Sequence, residues 1–412
     1  MQGRRYRHSG LAFAVGALWI TGCSSEDSSD AVDDLVEGAE GAEGSEGAEG
    51  SEGMQSGDCA AGGPCVDEVG APICPLDTGW PGDELALCTP AEGEAIMLHY
   101  GPDDYDDQEQ IDTFKLAAGG EDENCIFMKT PNTEPAYITR YHARMRPGSH
   151  HLIVTTVDNP PEDLEYGKVV PCNQQEAVGL RWLLGSQDPQ IDLHIGGGGP
   201  VSSMPEEGDP DYKLGQLIQP NTTLRFNMHY INPTDEEILR EAWVYLKMGE
   251  PEDVETQMDM ITFFQGVINV PPQSTGVTTA VARCRAPTDR YVGLVTGHFH
   301  ENGTRFSVWH EDSAGESELI YETFDWEDPG NAFYSKHAEN PEMGSGRWGA
   351  TSGYRFVKEG EFINFQCEYD NPTDQTVALG DQGRDQMCNV FGFYYPTDGD
   401  VWDCACAGPV CF

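Results

Sequence analysis

The chain of 412 residues carries 23 Lys and Arg against 71 Asp and Glu, a formal net charge of −48, and so acidic a surface repels phosphate backbones and excludes nucleic acid as a partner. Hydrophobic residues make up 38% and aromatics 10%, enough to bury sizeable cores and to rule out global disorder. With 48 Gly and 27 Pro, the composition suits short strands joined by turns, so the expected class is all-β.

Residues 1–22 read as a secretory signal. Arg4, Arg5 and Arg7 precede an apolar stretch from Leu11 to Ile20, which runs into Ile20-Thr21-Gly22-Cys23, the order of an export signal ending in a lipobox. The N-terminus resembles that of bacterial lipoproteins. The resemblance implies a lipid on Cys23 and, with Ser24 following, sorting to the outer membrane of a Gram-negative cell. No later segment approaches the apolar length of a membrane-spanning helix, so lipid is the expected sole anchor. Residues 23–57 form the next unit: from Ser24 to Gly57 there are 11 acids and no base, with Glu-Gly-Ala and Glu-Gly-Ser repeats over 37–53. Such a stretch cannot bury apolar surface and is expected to act as a self-repelling tether. A collagen reading fails for want of proline in the run.

Setting Cys23 apart from the 13 cysteines leaves an even twelve, compatible with six disulfides and an oxidising, exported location. Zinc knuckles would need paired CxxC motifs, and Cys404-Ala-Cys406 has no matching partner. Residues 58–92 hold Cys59, Cys65, Cys74 and Cys88 among Gly and Pro, a small stapled segment.

From residue 93 onward, short alternating runs lie between turn signals. Leu224, Phe226, Met228 and Tyr230 fall on one face of a half-buried strand and His229 on the other. Residues 291–300, 361–367 and 389–395 read in the same way, and Asn232-Pro233-Thr234 and Asn371-Pro372-Thr373 follow strands as turns do. Two consecutive antiparallel β-sandwiches, jelly-roll-like, are the economical architecture.

The histidines concentrate the chemistry. His298 and His300, two apart in a strand, share a face and can converge on one metal, whereas the neighbours His150 and His151 diverge. The latter pair needs a bulge or strand end, and Pro147-Gly148 could supply it. Alone, each motif also fits ordinary hydrogen-bonded histidines, and Met387 also fits core filling. His8, His99, His142, His194, His310 and His337 are left as structural.

Taken in order, PGSHH (147–151), LRFNMHYINP (224–233), GHFH (297–300), QMCN (386–389) and YYP (394–396) resemble the copper type II, ascorbate-dependent monooxygenases, the dopamine β-monooxygenase and peptidylglycine α-hydroxylating monooxygenase family. The resemblance covers roughly residues 93–406 and implies an N-terminal copper domain over 93–250 and a C-terminal one over 251–412. It implies two coppers per chain. One, electron-transferring, would be held by His150, His151 and His229; the other, where dioxygen is activated, by His298, His300 and Met387, which would be the catalytic residues. Imidazoles with a thioether form a soft set suited to copper, and zinc, the main rival, seldom takes methionine. The resemblance further implies disulfides Cys125–Cys172, Cys284–Cys404 and Cys367–Cys388, with Cys59, Cys65, Cys74, Cys88, Cys406 and Cys411 unassigned. A catalytic surface would line the cleft between the domains.

The implied activity is hydroxylation of a C–H bond of a small organic substrate by dioxygen and a one-electron donor such as ascorbate. The family's peptide-hydroxylating members grip a substrate carboxylate with an Arg and a Tyr at positions that here carry Thr296 and Phe391. Only Asn389 of that substrate-binding set remains, which disfavours a peptide ending in glycine. LRFNMHYINP and YYP stand closer to the dopamine-hydroxylating branch, yet a catecholamine does not suit a bacterial lipoprotein, so the substrate stays open. The competing class is a non-catalytic copper-binding lipoprotein for storage or sensing.

Overall fold

The structure is a computed structural model that describes residues 65–66, 70–162, 164–172, 180–187, 189–195, 205–336, 348–349, 353–380, 383–397, 399 and 401–412. The signal, Cys23, the tether and Cys59 lie outside the described residues. Among these described residues the fold is an all-β sandwich with 52% strand and 4% helix. Its α-helix, Gln108–Phe114, is capped by the Asp107 carboxylate, which accepts from the Glu109 and Gln110 amides.

In the N-terminal half, a five-stranded antiparallel sheet runs in the order Val169–Pro171, Glu121–Lys129, Thr223–Ile231, Ser149–Val157, Leu180–Ser186. Its apolar face, including Leu152, Val154, Leu224, Phe226 and Met228, packs on Ile96, Leu98, Ile138, Val244 and Leu246 of the opposing layer. In the C-terminal half, Phe306, Val308, Ile363 and Phe365 of a six-stranded sheet pack in the same way on Ile261, Val292, Val295 and Val390.

The opposing layers are continuous. Leu214–Ile218 pairs with Thr256–Gln265, joining both halves into one twelve-stranded sheet. This pairing is parallel, as is that of Thr256–Gln265 with Trp402–Ala407, which departs from a wholly antiparallel expectation. A parallel neighbour needs a long crossover, and the strands Thr223–Ile231 and Ala242–Gly249 occupy the chain between the first pair.

The two Asn-Pro-Thr corners are built alike. Asn232 Nδ2 donates to the carbonyls of Leu116, Ala117 and Glu236, while its Oδ1 accepts from Thr234. Asn371 Nδ2 donates to Val270, Pro271 and Gln375, and its Oδ1 accepts from Thr373. Each corner therefore satisfies the backbone where its strand leaves the sheet.

Five disulfides join described residues: Cys74–Cys88, Cys125–Cys172, Cys284–Cys404, Cys367–Cys388 and Cys406–Cys411. They mark an oxidising, exported environment. The Cys74–Cys88 segment is docked rather than free, with Ile73, Leu85 and Leu87 packed against Trp243 and Tyr245. No helix among the described residues is long and apolar enough to cross a membrane.

Candidate metal centre

His229 lies in the central strand of the five-stranded sheet, directly opposite His151 on Ser149–Val157. One residue further on, Tyr230 pairs with Ser149, so the register slips past His150. That bulge follows Gly148, whose φ of +89° lies in the left-handed region, where a side chain would also strike Ile238. The slip lets two consecutive histidines reach one place. The ligand-capable nitrogens of His150, His151 and His229 lie within 4.8 Å of one another.

His298 ends the strand Arg290–His298, and His300 lies just beyond it. Phe299 between them turns into the C-terminal core against Phe306, leaving the two imidazoles together with Nε2 atoms 3.2 Å apart. Met387 stands next to them in the fold: Asn389, the cross-strand partner of His298, donates from Nδ2 to the Met387 Sδ at 3.5 Å. Cys388 is tied to Cys367 and the Met387 carbonyl accepts from the Tyr369 hydroxyl at 2.6 Å, so the chain at and just after the thioether is fixed.

The two sets meet. Ring centroids of His150 lie 6.0 Å from His298 and 6.1 Å from His300, and His151 lies 5.7 Å from His298. The resemblance implies one site in each half, with a cleft between them; in the structure the five imidazoles of the two halves stand together as one cluster. His229, expected on the polar face of a half-buried strand, is 1% exposed, because the C-terminal half covers that face.

The electrostatics keep ring nitrogens unprotonated. Burial, and secondarily the neighbouring His229 and His300, pushes His150 down to about 3. Burial first and the surrounding histidines second hold His151 and His298 well below the usual imidazole range. These rings are therefore neutral at pH 7, as ligands must be. His150 Nε2, both ring nitrogens of His151 and His229 Nδ1 are buried without a hydrogen-bond partner, each a cost of about 1–3 kcal/mol if left so. The other nitrogen of His229 meets the Glu121 carboxylate at 2.9 Å, which fixes the ring and points Nδ1 at its neighbours. His300 Nδ1 likewise meets the Asp385 carbonyl at 3.1 Å.

A cavity of about 240 Å³ opens beside the cluster, with His151, His298, Met387 and Asn389 in its wall and Trp182, Phe264 and Phe391 around them. Glu121, Trp182, Phe264 and Trp326, whose ring centroid lies 5.8 Å from that of His150, are site residues that sequence reasoning missed. None stands in a motif, and each arrives from a strand or loop remote in sequence. His99, His142 and His310 pair with Glu241, Asp192 and Glu361 outside the cluster. His8 and His337 and the His194 side chain lie outside the described residues. A second grouping, Cys284, Cys404, Cys406 and Cys411, is two disulfides, so its sulfurs are not free to bind a metal.

No family model and no curated protein matches the chain. Among solved structures, it is similar at 9% identity to the structure of the infectious bursal disease virus Gx strain, over 76% of each chain with a TM-score of 0.15. It is also 9% identical to the VP2 subviral particle of that virus, over 74% of this chain and 72% of that one with a TM-score of 0.14. Scores this low carry no argument about fold or function.

Proposed function

We propose that the protein is a copper-dependent monooxygenase that hydroxylates a C–H bond of a small organic molecule, converting substrate, dioxygen, two electrons and two protons into alcohol and water. One observation carries the reading: buried imidazole nitrogens without hydrogen-bond partners gather beside a second histidine pair and a thioether, on the wall of a cavity. The donor set fits copper, being made of imidazoles and a thioether and free of carboxylate except behind His229.

Copper, when bound, would supply one-electron redox cycling and activation of dioxygen. His150, His151 and His229 would hold one ion, and His298, His300 and Met387 the other. The chain's own work is positional. Glu121 orients His229, the Asp385 carbonyl orients His300, and Asn389 steadies the Met387 thioether. Asn389, expected to bind substrate, thus has a first task beside the metal ligand while still lining the cavity. The apolar cavity wall excludes water from the reacting carbon and fixes its approach.

A non-catalytic copper store is the second reading. Three histidines alone would serve it, and zinc would also accept them; the second, sulfur-containing set and the adjoining cavity favour the enzyme. The test is product formation by the copper-loaded chain with ascorbate, ¹⁸O₂ and a panel of small C–H substrates. Label in an alcohol product, abolished by His298→Ala, is expected. Tight copper binding with no product from any member would favour the store.

We further propose that Cys23 carries the lipid anchor, which the lipobox and the acidic tether support. Detergent partitioning should be lost in Cys23→Ala; partitioning unchanged by that substitution would overturn the anchor.

A further inference from the structure

The cavity beside the histidine cluster has an unusual wall. Trp182 and Phe391 stack with centroids 4.3 Å apart, and Phe264 closes the group at 6.0 Å from Phe391. Trp182 comes from the N-terminal half and the two phenylalanines from the C-terminal half, so the aromatic wall spans both sandwiches. Phe391 also approaches His298, at 6.2 Å between centroids. Leu184, Leu193, Met260 and Leu294 extend the apolar lining. Trp182, Phe264 and Phe391 are each only partly buried and line the cavity.

Charge in the wall is balanced. Apart from the histidines, the charged side chains lining the cavity are Glu123 and Arg225, one of each sign. Glu123 accepts from Asn227 Nδ2 at 2.7 Å, and Arg225 Nε lies 3.0 Å from Cys125 Sγ. Thr296, also in the wall, spends its hydroxyl on the Gly330 carbonyl at 2.6 Å. Because Glu123 and Arg225 are both engaged within the protein, a ligand with a formal charge would lose its hydration without gaining an uncommitted counter-charge, a large penalty in an apolar site.

Size narrows the class further. An apolar cavity of roughly 150 Å³ accepts benzene, so the volume of about 240 Å³ here admits one ring with a short substituent or two fused rings.

We propose that this cavity binds an uncharged aromatic molecule of up to two fused rings, held on Trp182 and Phe391 with one edge toward Met387 and His298. That it is the substrate site rests on the monooxygenase reading; that it binds such a molecule does not. Trp182 and Phe391 are specificity-determining residues, and aromatic contacts set the preference for flat ligands.

The test is calorimetric titration of the purified full-length chain with indole, indole-3-carboxylate and indole-3-methanamine, with copper per chain counted on the same preparation. Indole is expected to bind with one site per chain and the two charged analogues at least a hundredfold more weakly. Trp182→Leu should weaken indole at least tenfold. Indole that fails to bind, or a charged analogue that binds as tightly, overturns the proposal in the wild-type chain without recourse to any variant; indole affinity unchanged in Trp182→Leu overturns the placement. Two coppers without indole binding would sink this proposal alone, and indole binding without copper would sink the monooxygenase reading alone.

Discussion

In the N-terminal half, Ala136–Met145 runs beside Ala242–Gly249 with Arg144 opposite Trp243, and the Tyr230 hydroxyl donates to the Glu241 carbonyl at 2.6 Å. In the C-terminal half, Arg290–His298 runs beside Asn389–Tyr395 with His298 opposite Asn389, and the Tyr369 hydroxyl donates to the Met387 carbonyl at 2.6 Å. Tyr230 and Tyr369 both lie two residues before the twin Asn-Pro-Thr corners. Arg144 and Arg146 therefore stand where His298 and His300 stand, and Glu241 where Met387 stands.

The chemistry at the two positions is opposite. Arg146 meets Glu241 at 2.6 Å and Asp83 at 2.8 Å, and Arg144 meets Asp192 at 3.0 Å. Opposite charges complete that locus from within. Its counterpart holds two imidazoles and a thioether and faces further imidazoles with unpartnered nitrogens. A buried polar locus has to be completed by something; here the residues suit a soft cation supplied from outside.

The sharpest break of this comparison is at the charged locus. Glu241→Gln removes the carboxylate that pairs with buried Arg146 and should cost about 3–5 kcal/mol in denaturant unfolding of the metal-free chain, while leaving copper binding at His298, His300 and Met387. Its counterpart, His298→Ala, should lose one copper and cost the metal-free chain less than half as much. Equal stability losses would mean that both loci are structural.

Acidification separates the loci next. His150, His151 and His298 have folded-state values depressed below 6.5, so as pH falls the unfolded chain takes up protons that the folded chain refuses. Their contribution is absent above pH 6.5 and becomes destabilising below it, by about 1.4 kcal/mol per pH unit for each histidine. Urea unfolding of the metal-free chain between pH 6.5 and 4.5 should show this slope, reduced in His151→Phe. A slope equal in the two proteins would refute the buried neutral state of His151.

Smaller effects sharpen the picture within the histidine locus. Glu121→Gln should weaken copper at the His229 set by roughly 10–100-fold, read by competition with a Cu(I) chelator, because the ring loses its charged partner. Met387→Leu nearly conserves volume and should cost less than about 1.5 kcal/mol in the metal-free chain, while removing the sulfur ligand and the hydroxylating activity.

The fold class was legible because Leu224, Phe226, Met228 and Tyr230 alternate along Thr223–Ile231 and all enter the N-terminal core, although the opposite face of that strand, with Asn227 and His229, is buried as well. The parallel joint between Leu214–Ile218 and Thr256–Gln265 was not, since local pattern carries no partner identity. In the site, His298 and His300 could be grouped from their spacing, and Pro147-Gly148 pointed to the irregularity that brings His150 beside His151. The closure of both histidine sets into one cluster and the arrival of Glu121, Trp182 and Phe264 depend on the packing of two halves, to which no spacing along the chain refers.

The most direct measurement is copper K-edge X-ray absorption on the Cu(I)-loaded chain, with copper per chain counted on the same sample. Two coppers, with a sulfur scatterer that disappears in Met387→Leu while nitrogen ligation persists, is the predicted result; a single copper or none, or a wild-type shell of nitrogen and oxygen alone, would contradict the pairing of two unlike copper sites.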